Sequence, residues 1–202
     1  MSLHKEILLG SGSPRRRELL NMMGINFRVV SLHNVDENYP SDMKPEQVPI
    51  YLSKLKGMAY INELKEGQLL ITADTVVISE GTILGKPDDY REAFMMLRRL
   101  SGHQHSVVTG VTLSSPEGMY SFSEKTLVTF AELSNEMIDY YVHRYIPLDK
   151  AGAYGIQEWI GVVGVKGIAG CYYNVMGLPT AKLYMTLQKL GHLPALLTTK
   201  ID

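Results

Sequence analysis

The stretch LLITADTVVISEGTILGKP, Leu69 to Pro87, decides how the rest of the chain is read. β-Forming residues Leu69, Leu70, Ile71 and Thr72 open it, Asp74 interrupts, and Val76, Val77 and Ile78 resume. Glu80-Gly81 is a two-residue turn signal, so Thr82, Ile83 and Leu84 return as the second arm of a hairpin. Gly85 then carries Lys86 and Pro87 back towards the level from which Asp74 projects. A carboxylate inside such a strand costs roughly several kcal/mol unless a partner or a metal compensates. Two readings follow from the hairpin alone: a structural salt bridge between Asp74 and Lys86, or an acid and a base assembled for chemistry.

On the N-terminal side, Ile7, Leu8 and Leu9 form a short strand, and Gly10-Ser11-Gly12 turns the chain into SPRRRELL. Ser13 reads as the N-cap of a helix and Pro14 as its first residue, with Leu19, Leu20 and Met23 as the apolar stripe and Gly24 as the stop. Arg15, Arg16 and Arg17 crowd the first turn, the positive end of the helix dipole, and Arg16 stands where a capping box would carry Glu. The cluster reads either as a receptor for phosphate or as a solvated basic turn. A second strand is expected from Phe27 to Ser31, then a loop with the adjacent acids Asp36 and Glu37. A helix from about Pro49 presents Leu52, Leu55 and Ala59 inward, with Val48 one turn earlier, and Lys54, Lys56 and Lys65 among its polar positions.

Beyond the hairpin, Asp89 and Glu92 open a helix as a capping box, and Ala93, Met96, Leu97 and Leu100 line its inner side before Ser101-Gly102 ends it. His103 and His105 lack a third His or Cys neighbour, which argues against zinc. Three β-rich runs, about Val107 to Leu113, Met119 to Ser123 and Lys125 to Ala131, read as antiparallel neighbours. Ser134 caps a helix through Met137, Ile138 and Tyr141 that Pro147 terminates. From Asp149 to Gln157, small residues surround one aromatic and one amide, a composition that lets a ligand approach the backbone. The glycines at 161, 164, 167 and 170 match no phosphate loop and suggest hairpins and bulges. A last helix through Leu183, Leu187 and Leu190 stops at Gly191.

With 202 residues, 45% of them hydrophobic, the chain is expected to form one domain over 1–202, with room for two lobes around a cleft. A net charge of −1 provides no global field for nucleic acid or anionic membrane, so neither is an expected partner, and any anion site must be local. Cys171, the one cysteine, excludes an internal disulfide and reads as a small core residue in a reducing compartment. Without an apolar run of signal or spanning length, the expected location is the cytoplasm.

The ordered set GSGSPRRRELL, VDEN, LSKLKGMA, ADT, LGKP, LSGHQHSVVTGV, DKAGAYGIQ and NVMGLP, from Leu8 to about Leu187, resembles the Maf family of nucleoside triphosphate pyrophosphatases. The resemblance implies a mixed α/β fold: an elongated β-sheet flanked by helices, with a deep cleft, related to the inosine triphosphate pyrophosphatases. It implies cleavage between the α and β phosphorus atoms of a nucleotide with a divalent metal, Mg²⁺ or Mn²⁺. Position by position, Ser13, Arg15 and Arg16 match the phosphate-handling element and Glu37 an acidic loop residue that, with Asp74, is a candidate metal ligand. Lys56 falls on the family's helix lysine, with Ser53 and Gly57 replacing alanines, which separates it from Lys54 and Lys65. Asp74 matches the proton acceptor and Lys86 the GKP lysine, while Arg15, Thr75 and Gln157 align with the substrate-choosing positions of the dTTP/UTP subclass. The DKAGAYGIQ and GLP blocks favour that subclass over 7-methyl-GTP enzymes, and a nucleotide-binding regulator of cell division without turnover is the other alternative. Glu158 stands where a glycine usually follows the glutamine, which puts an extra acid near the cleft. The expected partner is a nucleoside triphosphate; a homodimer is compatible with the sequence but not required by it.

Overall fold

Period-two alternation runs unbroken through β3 (Gln68–Ser79), so Leu70, Thr72, Asp74, Val76 and Ile78 share one face and Leu69, Ile71, Ala73, Thr75 and Val77 the other. The computed structural model, which describes residues 6–33 and 35–193, makes this strand the centre of a seven-stranded sheet. The spatial order is β2 (Phe27–Val29), β1 (Glu6–Leu9), β3, β5 (Gln104–Ser115), β6 (Gly118–Phe130) and β7 (Val165–Ala169), with β4 (Thr82–Leu84) also pairing β3. Strands β1, β2 and β3 are mutually parallel, whereas β4, β5, β6 and β7 join antiparallel. One edge of β3 is paired with β5 from Leu70 to Ile78. The other edge is shared: β1 covers Gln68 to Ile71 and β4 covers Val77 to Ser79, so among the described residues no strand pairs with Thr72 to Val76 there. That interruption is a notch in the sheet.

The hairpin forms as its residues dictate. Ser79 pairs directly with Thr82, and Glu80 (φ 49°) and Gly81 (φ 75°) both adopt the left-handed conformation that a two-residue turn of this twist requires.

The main core lies on the odd-numbered face of β3, where Ile71, Ala73 and Val77 meet α1 (Pro14–Met22), α3 (Tyr90–Leu100), α4 (Asn135–Tyr145) and α7 (Thr180–Lys189). Helix α3 starts as expected: the Asp89 carboxylate accepts the amide of Glu92 at 2.8 Å, and Ala93, Met96, Leu97 and Leu100 are buried. Ser134 likewise caps α4 at the amide of Met137. The opposite face carries α2 (Val48–Met58), with Val48 and Leu52 packed on Val76, Ile78 and Val108.

Several expectations are corrected. The inward side of α2 is Val48, Pro49, Leu52, Ser53 and Gly57, with Leu55 half-buried against the same cluster as expected, while Ala59 is exposed. Small residues face the sheet because the helix lies very close to β5 and is tied to the sheet by polar contacts: the Ser53 hydroxyl bonds Thr112 of β5 at 2.8 Å and the Thr72 hydroxyl of β3 donates to the Ser53 carbonyl at 2.7 Å. Strand β2 ends at Val29 rather than Ser31. The runs around Met119 and Lys125 are one strand, since Ser123, Glu124 and Lys125 stay in register with Gly110, Thr109 and Val108. Gly161 and Gly164 lie in a short helix, α5 (Trp159–Gly164), where burial of Ile160 and edge-on packing of Trp159 against Tyr140 override the β-like composition. Cys171 is half-buried rather than core, and the short helix α6 (Tyr172–Met176) that follows it had no signal in the sequence.

Candidate active site

The notch in β3 opens into a cleft of about 950 Å³, on whose wall all nine site residues expected from the sequence stand: Ser13, Arg15, Arg16, Glu37, Lys56, Asp74, Thr75, Lys86 and Gln157. Asp74 and Thr75 are consecutive, so they project to opposite faces of the strand. The unpaired edge lets a ligand reach both.

On the α2 face, Lys56 Nζ lies 2.5 Å from Asp74 Oδ1 and 3.3 Å from Glu37 Oε1. The Lys56 and Asp74 side chains are 13% and 14% exposed, sheltered enough that removing one would leave the other without its counter-charge. The hairpin's two readings are thereby decided in part. Asp74 pairs with Lys56, while Lys86 is exposed on the cleft wall and forms no ion pair among the described residues.

On the other face, Arg16 is locked by three bonds: Nε to the Gly177 carbonyl at 2.9 Å, one terminal nitrogen to Ser11 Oγ at 3.1 Å, and the other to Thr75 Oγ1 at 3.2 Å. Thr75 in turn bonds Thr109 at 2.9 Å, and Thr109 donates to the carbonyl of buried Asn174. Burial lowers the Arg16 pKa, with Arg15 adding to this, while the charges of Asp74 and Glu37 oppose it. The arginine and the carboxylates therefore feel one another across the strand. Ser13 occupies the N-cap position of α1, but its side chain makes no cap bond, and no acid sits in the first turn. A helix start of this kind presents uncapped amides and the positive end of the dipole. Arg17 is exposed and donates to the Gly12 carbonyl at 3.5 Å.

Arg15 extends to Asp149, whose Oδ2 accepts from it at 2.8 Å. The other carboxylate oxygen accepts from Lys150 at 2.7 Å, and Lys150 also lies 3.0 Å from Glu158. Burial alone would raise the Asp149 carboxyl, but hydrogen bonds from Lys150 and Arg15 and their charges hold it below its usual value. Gln157 is exposed on the cleft wall. Glu158, expected near the cleft, does not line it; its carboxylate accepts from the Tyr141 hydroxyl and pairs with Lys150. A bond from Gly152 N to the Gly85 carbonyl, 3.0 Å, joins this loop to the chain leading to Lys86.

Ser11, Asp149, Lys150 and Gly177 are participants that sequence reasoning left without a role. An adjacent acid and base beside a run of small residues was the available signal for Asp149 and Lys150. The Gly177 carbonyl had none, because it is a backbone atom delivered from a distant element. His103 and His105 do not converge: His103 bonds the Ser101 carbonyl, whereas His105 is buried and bonds the hydroxyl of Tyr154 at 2.7 Å behind the cleft wall.

A sheet with this order of elements is similar to that of the Ham1 protein of Staphylococcus aureus, with a TM-score of 0.52, 14% identity, and 92% of this chain and 98% of that one covered. A second Ham1 protein, from Coxiella burnetii, superposes with a TM-score of 0.50 at 12% identity over 91% of this chain. In sequence, a dTTP/UTP pyrophosphatase from Phocaeicola vulgatus is 51% identical over 185 residues, covering 92% of this chain and 96% of that protein. A dTTP/UTP pyrophosphatase from Porphyromonas gingivalis is 52% identical over 188 residues, covering 92% and 94%. The model of one family, Maf-like protein, matches residues 6–190. A match of that extent, with relatives at about half identity over the same length, makes this chain a member of the Maf-like protein family.

Proposed function

We propose that this protein is a nucleoside triphosphate pyrophosphatase that hydrolyses dTTP and UTP to the monophosphate and pyrophosphate. The single observation that carries the reading is the convergence, in one cleft, of Asp74, Lys56 and Glu37 from one face of β3 with Arg15, Arg16 and the uncapped start of α1 from the other. The names of the relatives from P. vulgatus and P. gingivalis support the choice of reaction and base.

In this mechanism Arg15, Arg16, Lys56 and Lys86 neutralise the triphosphate, with the free amides of α1 as additional donors. Asp74 orients the attacking water and accepts its proton, and the guanidinium of Arg16, held rigidly by three bonds, meets the charge that develops on the departing pyrophosphate. No covalent intermediate is required, and Cys171 takes no part.

The donor set fits a divalent cation. Asp74 and Glu37 are hard oxygen donors that flank one point, since both contact the same ammonium. Among the described residues no group of three or more His, Cys, Asp or Glu side chains could hold a metal by itself. Asp74 and Glu37 would be the residues to hold a Mg²⁺ or Mn²⁺, hard cations for which one or two carboxylates suffice. When bound, such an ion neutralises phosphate charge as a Lewis acid.

Arg15, Thr75 and Gln157 are the residues assigned to base choice, because donors aimed at the O2 and O4 edge of a pyrimidine reject a base that leaves them unmet. A panel of dTTP, UTP, CTP and GTP, with pyrophosphate release as readout, tests the proposal. Preferred cleavage of dTTP and UTP is the expected result. Preferred GTP cleavage overturns the pyrimidine assignment, and nucleotide binding without turnover overturns the enzyme.

A further inference from the structure

Along the cleft wall, four charged groups form a continuous chain: Arg15 donates to Asp149 at 2.8 Å, Asp149 accepts from Lys150 at 2.7 Å, and Lys150 meets Glu158 at 3.0 Å. Arg15, Asp149 and Lys150 line the cleft, the Lys150 side chain being 9% exposed, whereas Glu158, 19% exposed, does not line it. Tyr141 closes the inner end, donating to Glu158 and accepting the Gly155 amide at 3.0 Å. The carboxylate of Glu158 lies directly over Gly155, where a Cβ would come within 2.8 Å of it. One acid therefore touches both the chain that ends at Arg15 and the loop that carries Gln157.

The arithmetic of charge in this chain is even: two cations alternate with two anions. Asp149 serves both cations, Oδ1 accepting from Lys150 and Oδ2 from Arg15; without Glu158, the sheltered Lys150 ammonium would have Asp149 as its one anion here and would draw on both of those oxygens. The more sheltered ammonium, with the larger desolvation to offset, would win that competition. Arg15 would lose the acceptor that fixes its direction.

We infer that Glu158 is a positioning residue for base selection: by sharing Lys150 with Asp149 Oδ1 it leaves Asp149 Oδ2 to Arg15, and by covering Gly155 it sets the loop from which Gln157 faces the cleft. This inference rests on the assignment of Arg15 and Gln157 to base choice given above. It makes Glu158, which does not line the cleft, a determinant of which pyrimidine is accepted, since any change in the charge that Arg15 offers the triphosphate acts on UTP and CTP alike and cancels in their ratio.

The test is a set of variants assayed for kcat and KM with UTP and CTP. In Glu158→Gln, which keeps an acceptor for Tyr141 but removes the charge, the preference for UTP over CTP should fall on the order of tenfold, through KM, with kcat little changed. Tyr141→Phe is the control for packing: it should lower the melting temperature yet keep the wild-type preference. The double variant Lys150→Gln, Glu158→Gln removes the competing ammonium and should restore the preference lost in the single one. A preference in Glu158→Gln equal to wild type, or lost equally in Tyr141→Phe, or not regained in the double variant, overturns the inference. Wild-type protein that does not discriminate UTP from CTP overturns instead the base assignment on which it stands.

Discussion

Asp74 is the residue whose placement costs most and explains most. Its carboxylate is sheltered on a strand, compensated by Lys56 at 2.5 Å, and beside the edge at which pairing stops. Asp74→Asn keeps the volume and the capacity to bind nucleotide but removes the proton acceptor. Turnover should fall by roughly a hundredfold or more, the usual weight of a general base, while nucleotide still shifts the melting temperature. Lys56→Met should act differently. It strands a sheltered carboxylate, so stability in urea should drop by about 3 kcal/mol along with activity. Arg16→Lys replaces a planar fork holding Gly177, Ser11 and Thr75 by a single ammonium, and kcat/KM should fall on the order of tenfold, mainly through kcat, even though the charge is kept. A kcat/KM within twofold of wild type would show that charge alone is what the site asks of position 16.

At the scale of elements, the approach of α2 to β5 sets where Lys56 stands. Gly110 is the register partner of Asp74, and a Cβ on it would lie 2.3 Å from the backbone of Pro49 and Ile50. Helix α2 therefore crosses β5 at backbone contact, directly across from the proposed catalytic acid. Gly110→Ala should push the helix outward, cost roughly 3 kcal/mol in urea unfolding, and lower turnover as Lys56 recedes from Asp74. Unchanged turnover in a destabilised protein would separate the helix's packing from its contribution to the site. Such a contact could not be read from the sequence, where Gly110 is a glycine in a β-rich run like any other. What was legible has local causes: the Glu80-Gly81 turn, the Asp89 and Ser134 caps, and the apolar stripe of α3 each depend on neighbours within four residues. What was not legible depends on distant partners, as with the inward Ser53 and Gly57 of α2, the helix at Gly161, and the pairing of Asp74 with Lys56 rather than with the hairpin's own Lys86.

For the molecule as a whole, the main core and the site meet at His105. It is 3% exposed, bonded to Tyr154, stacked edge-on with Phe130 and Tyr154, and its Nδ1 has no hydrogen-bond partner among the described residues. Burial pushes its pKa down to about 4. An unfolded imidazole titrates near 6.5, so below that pH the unfolded chain binds a proton that the folded one refuses. The contribution of neutral His105 is fully present above pH 6.5, shrinks between there and about 4, and is lost below. The acid cost reaches about 3 kcal/mol. The stability difference between wild type and His105→Gln, measured in urea, should therefore narrow steadily from pH 7 to pH 4. A constant difference across that range would mean that His105 opens to solvent before it titrates.

The notch in β3 has a last consequence. Because Asp74 and Thr75 are adjoining residues, the spacing between the two chemical halves of the cleft is one peptide unit, about 3.8 Å along the chain, and no loop movement can change it. The weak point is sideways slippage: sliding β3 along β5 by a single residue would exchange acid for hydroxyl and turn each to the wrong wall. Nine consecutive partners, from Leu70 with Ser114 to Ile78 with Ser106, stand against that slip. The long ladder on the closed side of the strand is thus what keeps the caliper on its open side in calibration.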